Sequence, residues 1–382
     1  MKFFKIVASI PRKEWIFLSA TAVLSVALCF LPSVDKLVVQ NGYTVCAKVL
    51  KTDNSLLQQH GLVKYGSQLL DVEILSGKFA GRHFKAVNEL RGQMELDKIF
   101  SPQDRIRVAI SSEELNADTV LTAVNFDRSL WSYVLFAVFC LLLIVFGQWV
   151  GLKALFSFVF SCLVIFKVVI PFALAGFSAS LVIFTAVLLL TAVIIFLVAG
   201  VSRKAFAAFA GAVAGVFAGL MMAHLFGKLL HINGAAMPFV QALLYSGFEN
   251  LDLADIFTGT LILSCSGAVM DLAMDIASSV EEVAKYNPSL SAKELTGSGL
   301  RVGRSVVGTM TTTLLLAYSG GFLTLLMMFA VQGTHFVDVI SNPLVAAELV
   351  KTLIGSFSLV LVAPLTAVIS GWIFRGKKSV EP

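Results

Sequence analysis

The chain has 382 residues, of which 57% are hydrophobic and only 14% are charged. A water-soluble protein of this length could not hide so much apolar surface, because much of its own area must face water, and the composition therefore predicts a polytopic α-helical membrane bundle. The net charge of +5 does not indicate nucleic acid as a partner, because residues 35–128 hold 12 Lys and Arg against 12 Asp and Glu and the positive surplus lies beside the apolar runs.

The first predicted element is an N-terminal membrane helix. The basic stretch MKFFKIVASIPRKEW leads into an apolar run that ends at Leu31, and no small-x-small cleavage site closes that run. A retained signal anchor is therefore favoured over a cleaved signal peptide.

A small all-β domain is predicted to follow, over residues 35–128. The segments SQLLDVEILSG, GRHFKAVNEL and DRIRVAIS alternate apolar and polar residues, which is typical of half-buried strands. Turns are predicted at Gly77, at Gly81 and at 102–104. About 90 residues of this kind predict one small barrel or sandwich.

The rest of the chain is dominated by apolar runs long enough to cross a bilayer, which takes about 20 helical residues. With the N-terminal helix, eight membrane spans are predicted, at residues 15–31, 131–148, 154–176, 179–200, 205–227, 253–275, 305–330 and 346–373. Residues 232–250 are predicted to form an interfacial or re-entrant helix.

The Lys and Arg residues of the short connecting segments predict the orientation, because such residues concentrate on the cytoplasmic side. Residues 1–34 are then the cytoplasmic N-terminus and first helix, and residues 35–128 are extracytoplasmic. Residues 129–382 form a transmembrane domain of about seven helices with a cytoplasmic helical loop at 276–304 and a cytoplasmic C-terminus.

The candidate coupling residues begin with a polar stripe that continues from the sixth span into this loop. Its members recur every three or four residues and so share one helix face: Ser264, Gly267, Asp271, Asp275, Ser278 and Glu282. Carboxylates one turn apart at the edge of a membrane could form a proton- or cation-coupled site. The alternative is a helix that simply emerges into the cytoplasm with solvated acids.

The seventh span presents a matching face. Arg301 and Arg304 precede it, and Thr309 and Thr312 follow. Arg304 is placed to pair with an acid of the sixth span, and the threonines could bond their own helix or bridge to a neighbour. The alternative reading is cytoplasmic anchoring by the arginines and packing by the threonines; a structural ion pair is favoured over a catalytic role.

Secondary candidates lie elsewhere in the apolar region. Lys167 either snorkels outward or pairs inside the bundle, with snorkelling slightly favoured. Glu348 and Lys351 are spaced as a local salt bridge. A helix-packing seam of small residues is predicted in the fifth span, at Gly211, Gly215 and Gly219.

Several classes are not indicated by any motif. The five histidines lack ligand spacing, four of the five cysteines lie in apolar runs, and no nucleotide-binding glycine motif or nucleophile–base arrangement is visible. We therefore predict no metal, no cofactor and no enzymatic activity.

Three consecutive stretches closely resemble the YibE/F family of bacterial multi-pass membrane proteins: GAVMDLAMDIASSVEEV, NPSLSAKEL and SGLRVGRSVVGTMTTTLLLAYSGG. The order of helix, small domain and hydrophobic region resembles the longer, YibE-like form that carries an ectodomain. The resemblance implies a bacterial plasma-membrane protein and a partner, either a shorter YibF-like companion subunit or a second copy. It implies no secure activity.

Two functions follow as hypotheses. The first is a transporter or translocation component driven by protons or cations through Asp271 and Asp275. The second is a non-transporting assembly or signalling protein whose outer β domain binds a partner.

Overall fold

The computed structural model describes residues 12–30, 42–110 and 119–375. Both chain termini, on which the predicted orientation partly depends, lie outside these residues. The chain divides into two compact units, one made of Asp35–Leu142 and the other of Met1–Val34 with Leu143–Pro382.

The strands all belong to the first unit. They are β1 (Tyr43–Asp53), β2 (Leu57–His60), β3 (Val63–Ile74), β4 (His83–Arg91), β5 (Arg105–Ile110) and β6 (Val120–Phe126). The sheet runs β1-β5-β6-β4-β3-β2, and β1 also pairs with β3, so five strands close into a barrel while β2 extends β3. The predicted small β domain is thus a barrel and not a sandwich.

The pairing pattern identifies the kind of barrel. All neighbouring strands are antiparallel except β4 and β6, which are parallel. If the short β2 is left out, the closed strand order and the parallel pair are those of the five-stranded OB-fold. The predicted turn at Gly77 and Gly81 joins β3 to β4, and both glycines have positive φ angles of 87° and 82°, which favour glycine.

The barrel interior follows from the period-two pattern of its strands. In β5, for instance, every second side chain is buried. The fully buried apolar side chains include Ala47, Val49, Val72, Ile74, Ile106, Val108 and Ile110. Two buried residues of the barrel are polar, Gln68 and Asn88. The Gln68 amide bonds to both backbone groups of Phe100 and to Asn88 and Asn54.

The Cys46 thiol on β1 is held in its protonated form. Its pKa is raised from the ordinary 9.0 to about 11, first by burial and then by the Asp127 carboxylate, which accepts a hydrogen bond from Cys46 Sγ at 3.2 Å. The pKa of Asp127 is lowered, because Ser129 and Cys46 both donate hydrogen bonds to it.

Cys46 should therefore alkylate slowly. At pH 8 its thiolate fraction should be about 100-fold smaller than that of a thiol with a pKa of 9. Asp127→Asn removes a negative charge beside the sulfur, so the pKa should fall and the rate should rise. Iodoacetamide rates against pH, in a variant whose other four cysteines are serine, measure both effects. Equal rates with and without Asp127 would contradict the assignment.

The helices are α1 (Arg12–Cys29), α2 (Ser129–Val164), α3 (Ile170–Leu174), α4 (Ala179–Ala199), α5 (Arg203–Leu229), α6 (Val240–Tyr245), α7 (Leu253–Tyr286), α8 (Ala292–Gln332), α9 (Phe336–Ser341) and α10 (Pro343–Phe374). A π-helical turn at Ile165–Val169 joins α2 to α3. The predicted interfacial segment 232–250 contains only the short α6.

Six helical segments of the described residues are long and apolar enough to cross a membrane: Ser129–Leu174, Ala179–Ala199, Arg203–Leu229, Leu253–Tyr286, Ala292–Gln332 and Pro343–Phe374. The predicted number of about eight spans is not confirmed. The apolar part of α1, Phe17–Cys29, is shorter than a full span, and the predicted spans 131–148 and 154–176 lie on one helical segment.

The division within that segment is a backbone break and not a loop. Gln148 has φ 47° and ψ −119°, which interrupts the helix. The next residue, Trp149, is buried and packs on Trp15 of α1, with ring centroids 5.4 Å apart. Packing by α1 therefore holds a break that sequence predicted as the end of one span.

Helix α7 lies at the centre of the helical unit. It contacts α4, α5, α8 and α10, and Val269, Leu272 and Ile276 on its inner face are fully buried. The predicted cytoplasmic loop 276–304 is largely helical, because α7 continues to Tyr286 and α8 begins at Ala292. Ser291 and Glu294 form a capping box at that start.

Candidate functional site

The predicted polar stripe lies on one face of α7. Asp271 and Asp275 are exposed, as are Ser264 and Gly267 towards the Leu253 end of the helix. Ser264 Oγ donates to its own helix, at Leu261 O, over 2.8 Å. The stripe is therefore a polar surface on a helix whose other side forms the core.

Beyond the aspartates the stripe joins a cluster of exposed charges. Ser278 is half-buried, and Glu282 pairs with Lys285 at 3.4 Å. Glu281, which the sequence did not single out, pairs with Lys285 at 3.5 Å and with Lys204 of α5 at 3.7 Å. The Glu282–Lys285 pair is exposed and contributes about 1 kcal/mol or less, whereas the Glu281–Lys204 pair is partly buried and links α7 to α5.

Arg304 stands at the level of Asp275, but neither arginine pairs with an aspartate of α7. A Cβ on Gly303 would lie 3.2 Å from Ile276 of α7, which places Arg304 level with Asp275. Arg301 and Arg304 are exposed, and within the described residues neither forms an ion pair with either aspartate. The expected pair between the sixth and seventh spans is not formed in this chain.

The threonines of α8 are satisfied by their own helix. Thr309 Oγ1 donates to Val306 O at 2.9 Å, and Thr312 Oγ1 donates to Gly308 O at 3.1 Å. Such bonds hide the hydroxyl from an apolar surrounding without a partner helix. The threonine hydroxyls thus bond to their own helix, which is one of the two arrangements that the sequence allowed.

The secondary candidates lie away from the stripe. Glu348 and Lys351 of α10 form a local pair at 3.7 Å, and Lys351 Nζ also lies 5.4 Å from the ring centroid of Tyr318 on α8. Lys167 is half-buried in the π-helical turn. The structure does not bring these residues together with Asp271 and Asp275.

The three glycines of α5 face α10 at close range. A Cβ on Gly215 would lie 2.7 Å from Val362 Cβ, one on Gly211 would overlap the Thr366 side chain, and one on Gly219 would overlap Ser358. The backbones of α5 and α10 therefore approach each other closely, which only residues with very small side chains allow at these positions.

A second polar region, at the opposite end of α7, was missed in the sequence. A cavity of about 470 Å³ lies between the ends of α5 and α7. Its titratable lining residues are His224, Lys228, His231, Asp252 and Asp255. A neighbouring cavity of about 370 Å³ shares both aspartates and reaches the loop before α4.

Asp255 joins the starts of two helices at this cavity. Its Oδ2 accepts hydrogen bonds from Ser178 Oγ at 2.9 Å and from Ser180 N at 3.2 Å, at the beginning of α4. Asp252 caps α7 by accepting a bond from Asp255 N at 3.0 Å. The only available signal was the pair of acids at the start of the sixth span, because the partners of Asp255 lie about 75 residues away in the chain.

Carboxylates are thus placed towards both ends of the central helix, with two histidines beside those at the Asp255 end. Asp255 and Asp271 are separated by about 24 Å along α7, given a rise of about 1.5 Å per residue. Groups of these types can exchange protons near neutral pH or hold a cation. Within the described residues no three His, Cys, Asp or Glu side chains are grouped to hold a metal ion.

Comparison with known proteins gives a family but no close relative. The model of the family described as YibE/F-like protein matches residues 135–376, well over half of the chain. No curated protein and no solved structure matches the chain.

Proposed function

The chain belongs to the YibE/F family, and on that premise we propose that it is a transporter or translocation component of the bacterial plasma membrane, coupled to protons or cations through α7. Family membership and the apolar helices support a multi-pass membrane protein. In the orientation we propose, both termini are cytoplasmic and the barrel is extracytoplasmic, as the distribution of Lys and Arg favours. This orientation requires α1 to cross the membrane and the segment Ser129–Leu174 to cross it twice, turning at the break at Gln148.

The observation that carries the proposal is the distribution of acids on α7. Asp271 and Asp275 lie exposed on a helix that is otherwise apolar enough to cross a membrane, and Asp255 lies at its other end beside a cavity with two histidines. A carboxylate in a membrane segment costs about 3 kcal/mol. Residues that carry such a cost commonly lie on the path of an ion or proton.

The test is a flux measurement that needs no known substrate. The full chain is reconstituted in liposomes that hold a pH dye, a proton or sodium gradient is imposed, and the wild type is compared with Asp271→Asn and Asp275→Asn. An amide cannot carry a proton, so the flux should fall about tenfold or more. Asp338→Asn, which removes an exposed acid from α9, is the matched control and should keep the flux.

Two outcomes would contradict this function. If both α7 variants keep the wild-type flux, coupling does not pass through these acids. If folded wild-type protein gives no flux under either gradient, the second candidate function is favoured.

That second candidate is an assembly or signalling protein whose barrel binds a partner, and a groove on the barrel favours it. Lys51, Asp71 and Lys85 lie side by side across β1, β3 and β4. Two cavities of about 400 and 410 Å³ share these residues. In OB-folds the corresponding face, centred on the second and third barrel strands, binds ligands.

A further inference from the structure

One face of the helical unit is left uncovered by the residues that the structure describes, and it carries charged side chains at one end. Only four residues of the 41-residue α8 are buried, against 14 in α7 and 14 in α10. The uncovered side of α8 continues into the polar stripe of α7. We call this surface the Asp–Arg face and define it by Asp271 and Asp275 on α7 and by Arg301, Arg304 and Thr312 on α8, all exposed.

Lipid is a poor neighbour for the part of this surface that lies in the predicted spans, which comprises Asp271, Asp275 and Thr312; Arg301 and Arg304 belong to the predicted cytoplasmic segment 276–304. Charged and hydroxyl-bearing side chains on membrane helices normally face protein or a water-filled cavity. The exposed face of α5 shows the contrast, since from residue 206 to residue 221 its exposed side chains are Phe206, Phe217 and Met221. Farther along α8 the exposed surface is also apolar, with Leu315, Leu316, Leu323 and Met327 exposed, so the polar surface is confined to the part of the helical unit around Arg304.

We propose that the Asp–Arg face is the docking surface for a second copy of this chain. The face carries two acids and two arginines, so it is complementary to itself. Two copies inserted in the same orientation are related by a two-fold axis along the membrane normal. That axis sets α7 of one copy beside α8 of the other and keeps every residue at its own depth.

The depths of the charges fit this arrangement. Gly303 lies against Ile276 within one chain, so Arg304 and Asp275 stand at one level. In the pair, Arg304 of each copy then meets Asp275 of the other at that level. Arg304 and Asp275, which lack ion-pair partners within the described part of one chain, therefore gain them across the interface.

Small residues on the face allow the close approach that such a contact needs. A Cβ on Gly267 or Gly308 would meet no atom within 4 Å, whereas a Cβ on Gly299 or Gly303 would press on neighbouring helices. The latter two glycines are used by packing within the chain. The former two are open and permit backbones of another copy to come near. This inference does not depend on transport.

The test uses two full-length variants in which all charges of the Asp–Arg face have the same sign. Each variant is made with two different tags, so that one copy can be captured through another. Asp271→Lys with Asp275→Lys gives an all-positive face, and Arg301→Glu with Arg304→Glu gives an all-negative one. When two differently tagged copies of the same variant share a membrane, the amount of one copy captured with the other should fall about tenfold or more relative to the wild type, because like charges then face each other. Mixing the two variants should restore capture to the wild-type level.

A matched control and a second measurement distinguish loss of the interface from misfolding of the variants. Lys64→Glu with Lys78→Glu changes exposed barrel residues by the same charge and should leave capture unchanged. In a background with the five cysteines replaced, Thr312→Cys should crosslink two copies in the membrane. Met221→Cys, on the apolar face of α5, should not.

Three results would overturn the proposal. They are undiminished self-capture by the single-sign variants, no recovery on mixing folded variants, and equal crosslinking at positions 312 and 221. Capture of a different membrane chain by wild-type protein that never captures its own copy would assign the face to a companion subunit instead. Loss of flux without any change in capture would leave this inference standing, because the two measurements are separate.

Discussion

Gly215→Leu should strongly lower the stability of the helical unit. Even a Cβ at this position would lie 2.7 Å from Val362 Cβ and 3.2 Å from Val269 Cγ1, so the added side chain must push α10 and α7 apart. Overpacking of this kind costs on the order of 3 kcal/mol. For a unit of this size that corresponds to a fall of about 6–12 °C in Tm.

Thermal unfolding in detergent, followed by size-exclusion chromatography, measures this effect. Gly227→Leu is the matched control, because it lies on the same helix and a Cβ there would meet no atom within 4 Å. Its Tm should stay close to that of the wild type. Equal losses in the two variants would show that helix propensity or lipid exposure, and not the contact with α10, governs the seam.

Gln68→Leu should destabilise the barrel strongly. The amide of Gln68 donates to Phe100 O at 2.8 Å and accepts from Phe100 N at 3.0 Å and from Asn88 Nδ2 at 3.1 Å. Leucine has a similar size but leaves these groups buried without this partner. Each such orphaned group costs about 1–3 kcal/mol, so a loss of about 3–5 kcal/mol is expected.

Protease cleavage within the barrel of the full-length protein, followed against urea concentration, measures that loss. Gln58→Leu, at an exposed position of β2, is the control and should leave the midpoint nearly unchanged. If the two variants unfold at the same urea concentration, the Gln68 network does not stabilise the barrel.

The buried amide of Gln68 also shows what the alternation of apolar and polar residues cannot predict. Alternation predicted strands here and placed every second residue inside, and Gln68 occupies an inward position of β3. Alternation cannot show why a polar side chain is tolerated there. The reason is the segment before β5, whose backbone at Phe100 needs a partner that only the folded barrel brings near.

The helical region shows the same division. The spacing of Asp271, Asp275 and their neighbours predicted a single polar face on α7, and the structure has that face. The spacing of Arg304 suggested a pair with those acids, and the structure has none. Periodicity places a side chain on a face, but whether two faces meet depends on how the helices pack.

The sequence by itself determined the membrane class, the position of the β domain and the faces of α5 and α7, because each follows from composition or from the period of one helix or strand. Tertiary structure alone decided the closure of the barrel, the packing of Trp149 at the break in α2 and the cavity at Asp255. These features join residues far apart in the chain: Asp255 contacts Ser178, and β1 pairs with both β3 and β5. Contacts over such separations depend on the packing of whole elements, which no local spacing records.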